Sequence, residues 1–401
     1  MELTQFLTSK VTVQAVTDLI DSRPNAIDLG YVGAEYMPEV YQDVTEFKRS
    51  VARLMPSIIA RDVAPNATGR FGMALKRQQV GGNLIDSAAH LHYDGEEFEM
   101  FLSLVRSIQG DQVRANMPAV MNYLQIVDRQ LLVPLDMNKE RKRLTLMGTG
   151  KAFYEAHRQD LLTLEPALNV YDPSQITVVT QASGKSIYGG ASADFIADIR
   201  AAVEDAKKDG YEIAEILCHS LSEQTVLGLT STKEALGAQT LYVETGGQLN
   251  VKMNAGTVDS TQLNAYLRSQ KLPQIRTYDG YFRDMVHAEG DPVGAPGTYV
   301  TQSYIPEGRF ILVPDGTTMP ELIPEDVRGP QAILTPVDPR RRVGVHIIGR
   351  PTGQSRGPRT YVFGPYYHEG IDPNMDGDST VAHMPFNLMP GGFRVVEYQK
   401  P

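Results

Sequence analysis

The tract 275–313 constrains this chain more than any other part of it. It opens with Ile275-Arg276-Thr277-Tyr278-Asp279-Gly280-Tyr281-Phe282-Arg283-Asp284, crosses a Gly/Pro-rich loop at 285–302, and closes with Ser303-Tyr304-Ile305-Pro306-Glu307-Gly308-Arg309-Phe310-Ile311-Leu312-Val313. The first stretch is β-branched and aromatic and predicts one strand, with Gly280 in its middle marking a bulge or a close backbone approach. The last stretch turns at Pro306-Glu307-Gly308 and becomes an unbroken apolar run, the pattern of a strand covered on both faces. Pro314-Asp315-Gly316 stops it. The tract carries architecture rather than chemistry.

A chain of 401 residues can bury a large core, as two or three domains or as one multi-lobed subunit. Hydrophobic residues at 42% and charged residues at 21% fit a folded, soluble chain. No apolar run approaches the roughly 20 residues that span a bilayer, so no membrane partner is expected. The start, Met1-Glu2-Leu3-Thr4-Gln5-Phe6-Leu7, has an acid where a secretory signal is basic, and a protein made and kept in the cytosol is expected. The single cysteine, Cys218, excludes an intrachain disulfide and an all-cysteine metal site, leaving packing or neighbouring copies to supply rigidity. A formal charge of -10 argues against binding nucleic acid with the whole surface, though not against local basic patches.

Along the chain, residues 1–50 read as an arm with a short amphipathic stretch at 11–20. Residues 51–95 mix short apolar pieces with glycines and with Arg61, Arg70, Lys76 and Arg77, the composition of a long protruding β-loop. A helix beginning at Glu96 carries acids in its first turn. Residues 118–147 place Val120, Tyr123, Leu124, Val127, Leu131 and Leu132 at helical spacing, with Pro134 kinking one long helix that stops at Gly148. A strand is expected at 175–180. A helix follows, N-capped by Ser192, with Phe195, Ile196, Ile199, Ala202, Val203 and Ala206 on one face. A buried strand at 212–218, a short helix at 222–229 and another at 260–269 complete an α+β pattern without internal repeats.

Two motifs carry a resemblance. One is the pair Tyr278-x-Gly280-Tyr281 and Ile305-Pro306-Glu307-Gly308 leading into an apolar strand; the other is Ala382-His383-Met384-Pro385-Phe386-Asn387-Leu388 followed by a last strand at 393–396. Together, and in this order, they resemble the major capsid proteins of tailed phages, of the lambda E type built on the Hong Kong 97 fold. The resemblance implies an arm at 1–50, an extended loop at 51–95, a peripheral domain at 96–184 with a spine helix at 118–147, an axial domain at 185–330, and return strands at 331–401. It also implies a structural protein rather than an enzyme, without cofactor, self-assembling into hexamers and pentamers of an icosahedral phage head that encloses double-stranded DNA. The arm is too short to hold a cleavable scaffold, so a separate scaffolding protein is implied, with portal and decoration proteins as further partners. The virion capsid is the implied location. Two competing readings are an encapsulin-like compartment of the same fold with an enzyme cargo, and a nucleotide hydrolase. The 285–302 loop is longer and richer in Gly and Pro than the family's.

Several fragments suggest chemistry, and each has a plainer account. Ser183-Gly184-Lys185-Ser186 ends like a phosphate-binding loop, but Val179 stands where the motif needs glycine, so a plain loop is expected. Gly148-Thr149-Gly150-Lys151 lacks the following hydroxyl and reads as a helix stop. Asp372-Pro373-Asn374-Met375-Asp376-Gly377 matches half a calcium loop, but His383 stands at the twelfth position, and a surface turn is expected. Cys218-His219 reads as a buried, inert thiol. His90 and His92 share a strand face and could hold a metal, yet the sequence offers no third ligand nearby, so no metal is expected. The basic clusters Lys139, Arg141, Lys142, Arg143 and Arg340, Arg341, Arg342 are candidates for solvated faces, for ion pairs with the next subunit, or for weak contact with packaged DNA.

Overall fold

The computed structural model describes residues 10–21, 26–54, 75–93, 99–101, 103, 105, 113–153, 166–169, 173–180, 186–188, 193–237, 258–286, 298–318, 321–322, 338–354, 357–368 and 374–400. Helix α1 (Lys10–Asp21) turns Ala15, Val16 and Leu19 into the cluster around Tyr123 and Val127. After the short α2 (Val32–Tyr36) and β1 (Glu39–Tyr41), strands β2 (Glu46–Leu54) and β3 (Leu75–Asn83) pair in antiparallel register from Glu46↔Asn83 to Leu54↔Leu75. The long β-loop expected from the sequence therefore begins before residue 51 and its paired strands end at Asn83. The next strand, β4 (Ile85–Tyr93), belongs to a different sheet.

The expected spine is a continuous helical rod. It consists of α3 (Val113–Val127), a π-helical turn at Asp128–Leu132, and α4 (Val133–Thr149). The π turn has a visible cause. Pro134 has no N–H to donate and its ring would collide with the carbonyl one turn back, so the chain widens by one residue and Val133 N–H reaches Asp128 O. The rod stops where expected, at Gly150 in the left-handed region (φ 68°), whose N–H closes on Leu146 O.

Short strands β5 (Lys151–Phe153) and β6 (Pro166–Asn169) precede β7 (Ile176–Val179) and α5 (Phe195–Lys208). The N-cap of α5 is Asp194, whose carboxylate accepts from Ala197 N at 3.1 Å, and not the expected Ser192, which lies outside the described residues. Then come β8 (Ile213–Cys218), α6 (Ser220–Gly228), α7 (Thr230–Gly237) and α8 (Ser260–Ser269). The strand expected at 275–284 is two strands, β9 (Gln274–Thr277) and β10 (Tyr281–Val286), broken at a corner. Within the expected 285–302 loop, β11 (Thr298–Ser303) pairs back on β10, from Tyr281↔Ser303 to Val286↔Thr298. The remaining strands are β12 (Arg309–Pro314), β13 (Glu321–Leu322), β14 (Gly344–Gly349), β15 (Tyr361–His368), β16 (Asn374–Asn387) and β17 (Arg394–Tyr398). The turn expected at 372–377 is strand from Asn374 onward, so its calcium-loop likeness has no loop behind it; Asp372 and Pro373 lie outside the described residues.

Two sheets share the core. The first runs β7-β17-β12-β8-β9, with β12 antiparallel to both neighbours. The apolar run 310–313 is at most 1% exposed because alternate side chains enter different clusters. Phe310 and Leu312 meet Phe195, Ile199, Val203 and Tyr398 under α5, while Ile311 and Val313 meet Leu144, Met147 and Phe386 under α4. Each such side chain contributes roughly 1.5–3 kcal/mol through burial. The second sheet runs β1-β14-β16-β15, with β4 on the other edge of β16. Pro385 sits inside β16 without breaking it. Opposite it, His346 N–H donates to Pro38 O, away from β16, so this is a non-hydrogen-bonded pair and the missing proline N–H points to the edge that β4 has already left.

Candidate functional site

The motif positions hold the body together. Tyr278 and Tyr304 stack with ring centroids 6.0 Å apart, and a Cβ on Gly280 would lie 2.6 Å from the Tyr278 ring and 2.7 Å from that of Tyr304. Only glycine fits that corner, so the close approach expected there is present, between strands rather than within one. Tyr281 is half exposed and its hydroxyl meets His219 Nε2 at 3.0 Å. Ile305 is buried and Pro306 exposed. Gly308 takes φ 86°, donates to Ser222 Oγ at 2.8 Å and accepts from Tyr398 N–H at 2.9 Å. A Cβ there would meet Tyr398 O at 2.4 Å. Leu388 is 2% exposed in the core that also contains Phe386.

The basic cluster of the spine points inward in part, so Lys139 and Arg143 form neither the solvated face nor the surface for neighbours or DNA expected of the cluster. Arg143 is wholly buried, 2.8 Å from Glu39 and 3.5 Å from Glu140. Lys139, 6% exposed, lies 3.4 Å from Glu39 and 3.1 Å from Asp136. Burial pushes the Glu39 carboxyl up, but Lys139 and Arg143 outweigh it and hold the group down at about 2. For Glu140 the balance is reversed: burial outweighs Arg143 and the Gly33 N–H, and its affinity for a proton rises. Gly33 N–H reaches Glu140 Oε1 at 2.6 Å, which fixes α2 on α4. Arg141 pairs with Asp284 at 3.3 Å and lies over Phe282 at 5.0 Å, tying the spine to β10. Lys142 donates to Ser87 at 3.0 Å.

The second cluster divides similarly. Arg341 bridges Glu35 at 2.6 Å and Glu215 at 2.8 Å, while Arg276 grips Glu35 with two nitrogens at 2.7 and 2.8 Å. Burial raises the Glu35 carboxyl, and the two arginines lower it below its ordinary value. Arg342 is half-buried. Arg340 is 70% exposed, 3.8 Å from Asp315. Lys76 and Arg77 lie on β3 opposite Arg53 and Ala52; Arg61 and Arg70 lie outside the described residues.

The other fragments resolve as structure. Cys218 is buried beside Phe310, and burial first, then Glu223 and Asp279, raise its thiol far above the usual range. His219 caps α6 by accepting Leu221 N–H at 3.1 Å. Ser186 is buried with its hydroxyl on Gln399 O at 3.2 Å, and 183–185 lie outside the described residues. No helix among the described residues is long and apolar enough to cross a membrane.

Sequence reasoning missed one histidine pair, and the third member of the group that it saw in His90 and His92. His346 and His383 stack in the core, wholly buried, with Nε2 and Nδ1 2.9 Å apart. On the opposite face of β4, His90 and His92 find the third group that local sequence did not offer, Asp376. It comes from β16, through the register Asp376↔His92 and Asp378↔His90.

Helix rod, paired β-loop and two sheets sharing a core define an α+β capsid-type fold, the Hong Kong 97 architecture implied by the motifs. The particular likeness is to the crystal structure of a putative capsid protein of a prophage of Escherichia coli CFT073, at 11% identity and TM-score 0.50 over 94% of this chain and 99% of that one. A phage-related protein from Bordetella bronchiseptica RB50 matches at 10% identity and TM-score 0.45 over 97% and 96%. The capsid of Myoviridae phage XM1 matches at 11% and 0.37 over 90% and 89%. No protein-family model and no curated protein matches the sequence.

Proposed function

We propose that this chain is the major capsid protein of a tailed double-stranded DNA bacteriophage, assembling into the hexamers and pentamers of an icosahedral head. One observation carries the reading: the fold likeness to the prophage capsid protein runs through 94% of this chain and 99% of that one, so the whole body matches rather than a shared module. Mechanism follows from geometry. Shells close by repeating moderate, self-complementary contacts. Elements that could supply them are the β2–β3 ladder, whose β2 edge is taken by β13, and the β10–β11 pair, which presents Tyr281, Tyr299 and Val300 as exposed apolar side chains. Arg340 is the member of the basic clusters best placed to meet acids of the next subunit or phosphate. The chain up to β1 serves as arm, the β2–β3 ladder between Glu46 and Asn83 as extended loop, residues 96–184 as peripheral domain, 185–330 as axial domain and 331–401 as return strands. A separate scaffolding protein, a portal and a decoration protein are the expected partners, with weak non-specific contact to packaged DNA.

Negative-stain microscopy of the expressed chain, alone and with its candidate scaffold, tests this. Closed shells or hexamer sheets are expected; a protein that stays monomeric across salt and concentration ends the reading.

A further inference from the structure

The outer face of the β4–β16 pair gathers four polar, titratable groups. Leu91, Ala89, Met375 and Val381 on the same strands point inward and are buried. His90, His92, Asp376 and Asp378 point outward, with side chains 58%, 47%, 27% and 54% exposed. His90 Nδ1 lies 2.7 Å from Asp378 Oδ1 and His92 Nδ1 lies 2.5 Å from Asp376 Oδ1. His90 Nε2 reaches toward the same Asp376 oxygen, at 3.8 Å. Exposed pairs of this kind contribute only about 0–1 kcal/mol, so stability does not account for the cluster.

We propose that His90, His92 and Asp376 form a binding site for a borderline divalent transition-metal cation, zinc above all, with Asp378 orienting His90. The donor set is two imidazole nitrogens and one carboxylate oxygen, the ligands zinc takes at about 2.0–2.2 Å with a fourth position open. Tetrahedral bonds of that length hold donors roughly 3.3 Å apart. One ligand atom from each of the three residues already lies within 4.8 Å of the others, and the 2.5 and 3.8 Å separations bracket the required value. The hydrogen bond to Asp378 selects the tautomer. A carboxylate only accepts, so His90 carries its proton on Nδ1 and leaves the Nε2 lone pair facing Asp376, the carboxylate–imidazole–metal relay that orients many metal ligands. His92 reaches the ion by a turn of its exposed ring or a change of tautomer. Both strands are anchored by nine consecutive register pairs from Met375↔Tyr93 to His383↔Ile85, so the site rests on rigid backbone.

The test is titration of the full chain, stripped of metal by chelator, with Zn2+ in a calorimeter and with Co2+ in a visible spectrometer. One ion per chain and a ligand-field absorption band are expected. His92→Ala and Asp376→Asn abolish the band and weaken zinc binding at least tenfold. Asp378→Asn weakens it about tenfold, the usual effect of losing a ligand's orienting partner. Urea midpoints within error of the parent show that the exposed substitutions leave the fold intact. Absence of the cobalt band in the unaltered protein, or zinc binding unchanged in His92→Ala, overturns the proposal.

Discussion

Arg143 is wholly buried on α4, and its charge is kept there by Glu39 at 2.8 Å and Glu140 at 3.5 Å. Removing one partner of such a group leaves the other charge buried alone, at a cost of roughly 3–5 kcal/mol. Arg143→Met should therefore lower the urea-unfolding free energy by about that much. The double Arg143→Met/Glu140→Gln should cost less than the single, because Glu140 is the carboxylate that burial already strains. The His346–His383 pair gives a second expectation at this scale. Ser87 Oγ receives N–H bonds from Asn138 and Lys142, both at 3.0 Å, so its own O–H donates to His383 Nε2; the His383 proton then sits on Nδ1 and is donated to His346. Both imidazoles are neutral. Burial, reinforced by Lys139, Lys142 and Arg143, holds them well below their ordinary 6.5. Below that pH the unfolded chain binds protons that the folded chain refuses. Stability is thus full above about pH 6.5 and falls as pH drops, by up to about 1.4 kcal/mol per pH unit for each imidazole. Urea midpoints at pH 7.5 and 5.5 should show this drop in the parent and a smaller one in His383→Gln; equal drops in both would remove the explanation. Arg143–Glu140 is an i,i+3 pair on one helix, but the Arg143–Glu39 and His346–His383 pairings are not visible locally in the sequence. The spine's basic run looked like a surface because Glu39, which meets both Lys139 and Arg143, arrives from a segment about a hundred residues earlier, and Asp376 meets His92 only through the register of two distant strands.

Elements were more legible than contacts. The apolar positions 195, 196, 199, 202, 203 and 206 repeat at helical spacing, and all are buried on α5. The rod of α3 and α4 was visible for the same reason, and Pro134 marked the irregularity without revealing that a π turn absorbs it. The start of α5 was misplaced because Ser192 and Asp194 are both good caps and only the backbone path decides between them. Asp194→Ala should lower stability by about 1 kcal/mol, against less than about 0.5 kcal/mol for Ser192→Ala, as read by thermal melts. The 275–284 tract looked like one strand because β-propensity does not register a corner between two β segments. Gly280 was the clue, as the one position where two tyrosine rings leave no room for a Cβ.

At the scale of the molecule, the β2–β3 ladder forms a sheet of its own with β13, apart from the two sheets that share the core. Its strands end opposite one another at Leu54 and Leu75, so replacing 55–74 with a four-residue Gly-rich turn closes the ladder without moving it. The shortened chain should melt within about 2–3 °C of the parent. If the proposed assembly is right, it should also fail to form closed shells under conditions where the parent does, as judged by microscopy and sedimentation. A large loss of melting temperature would show that 55–74 is part of the fold instead. The two cores are not separable in this way, because alternate residues of β12 fill both.

The position of β17 has a temporal consequence. It lies between β7 and β12, parallel to one and antiparallel to the other, yet it is made about 80 residues after β12 and more than 200 after β7. Until residue 398 has left the ribosome, the middle of that sheet is empty and Phe310 and Leu312 have no lid of Val396 and Tyr398. Long-range closure of this kind is slow, since distant segments must meet before any contact rewards them. A nascent chain therefore cannot complete this sheet, or cover Phe310 and Leu312, before residue 398 has emerged, and the order of the chain itself makes the closing of this core a late event.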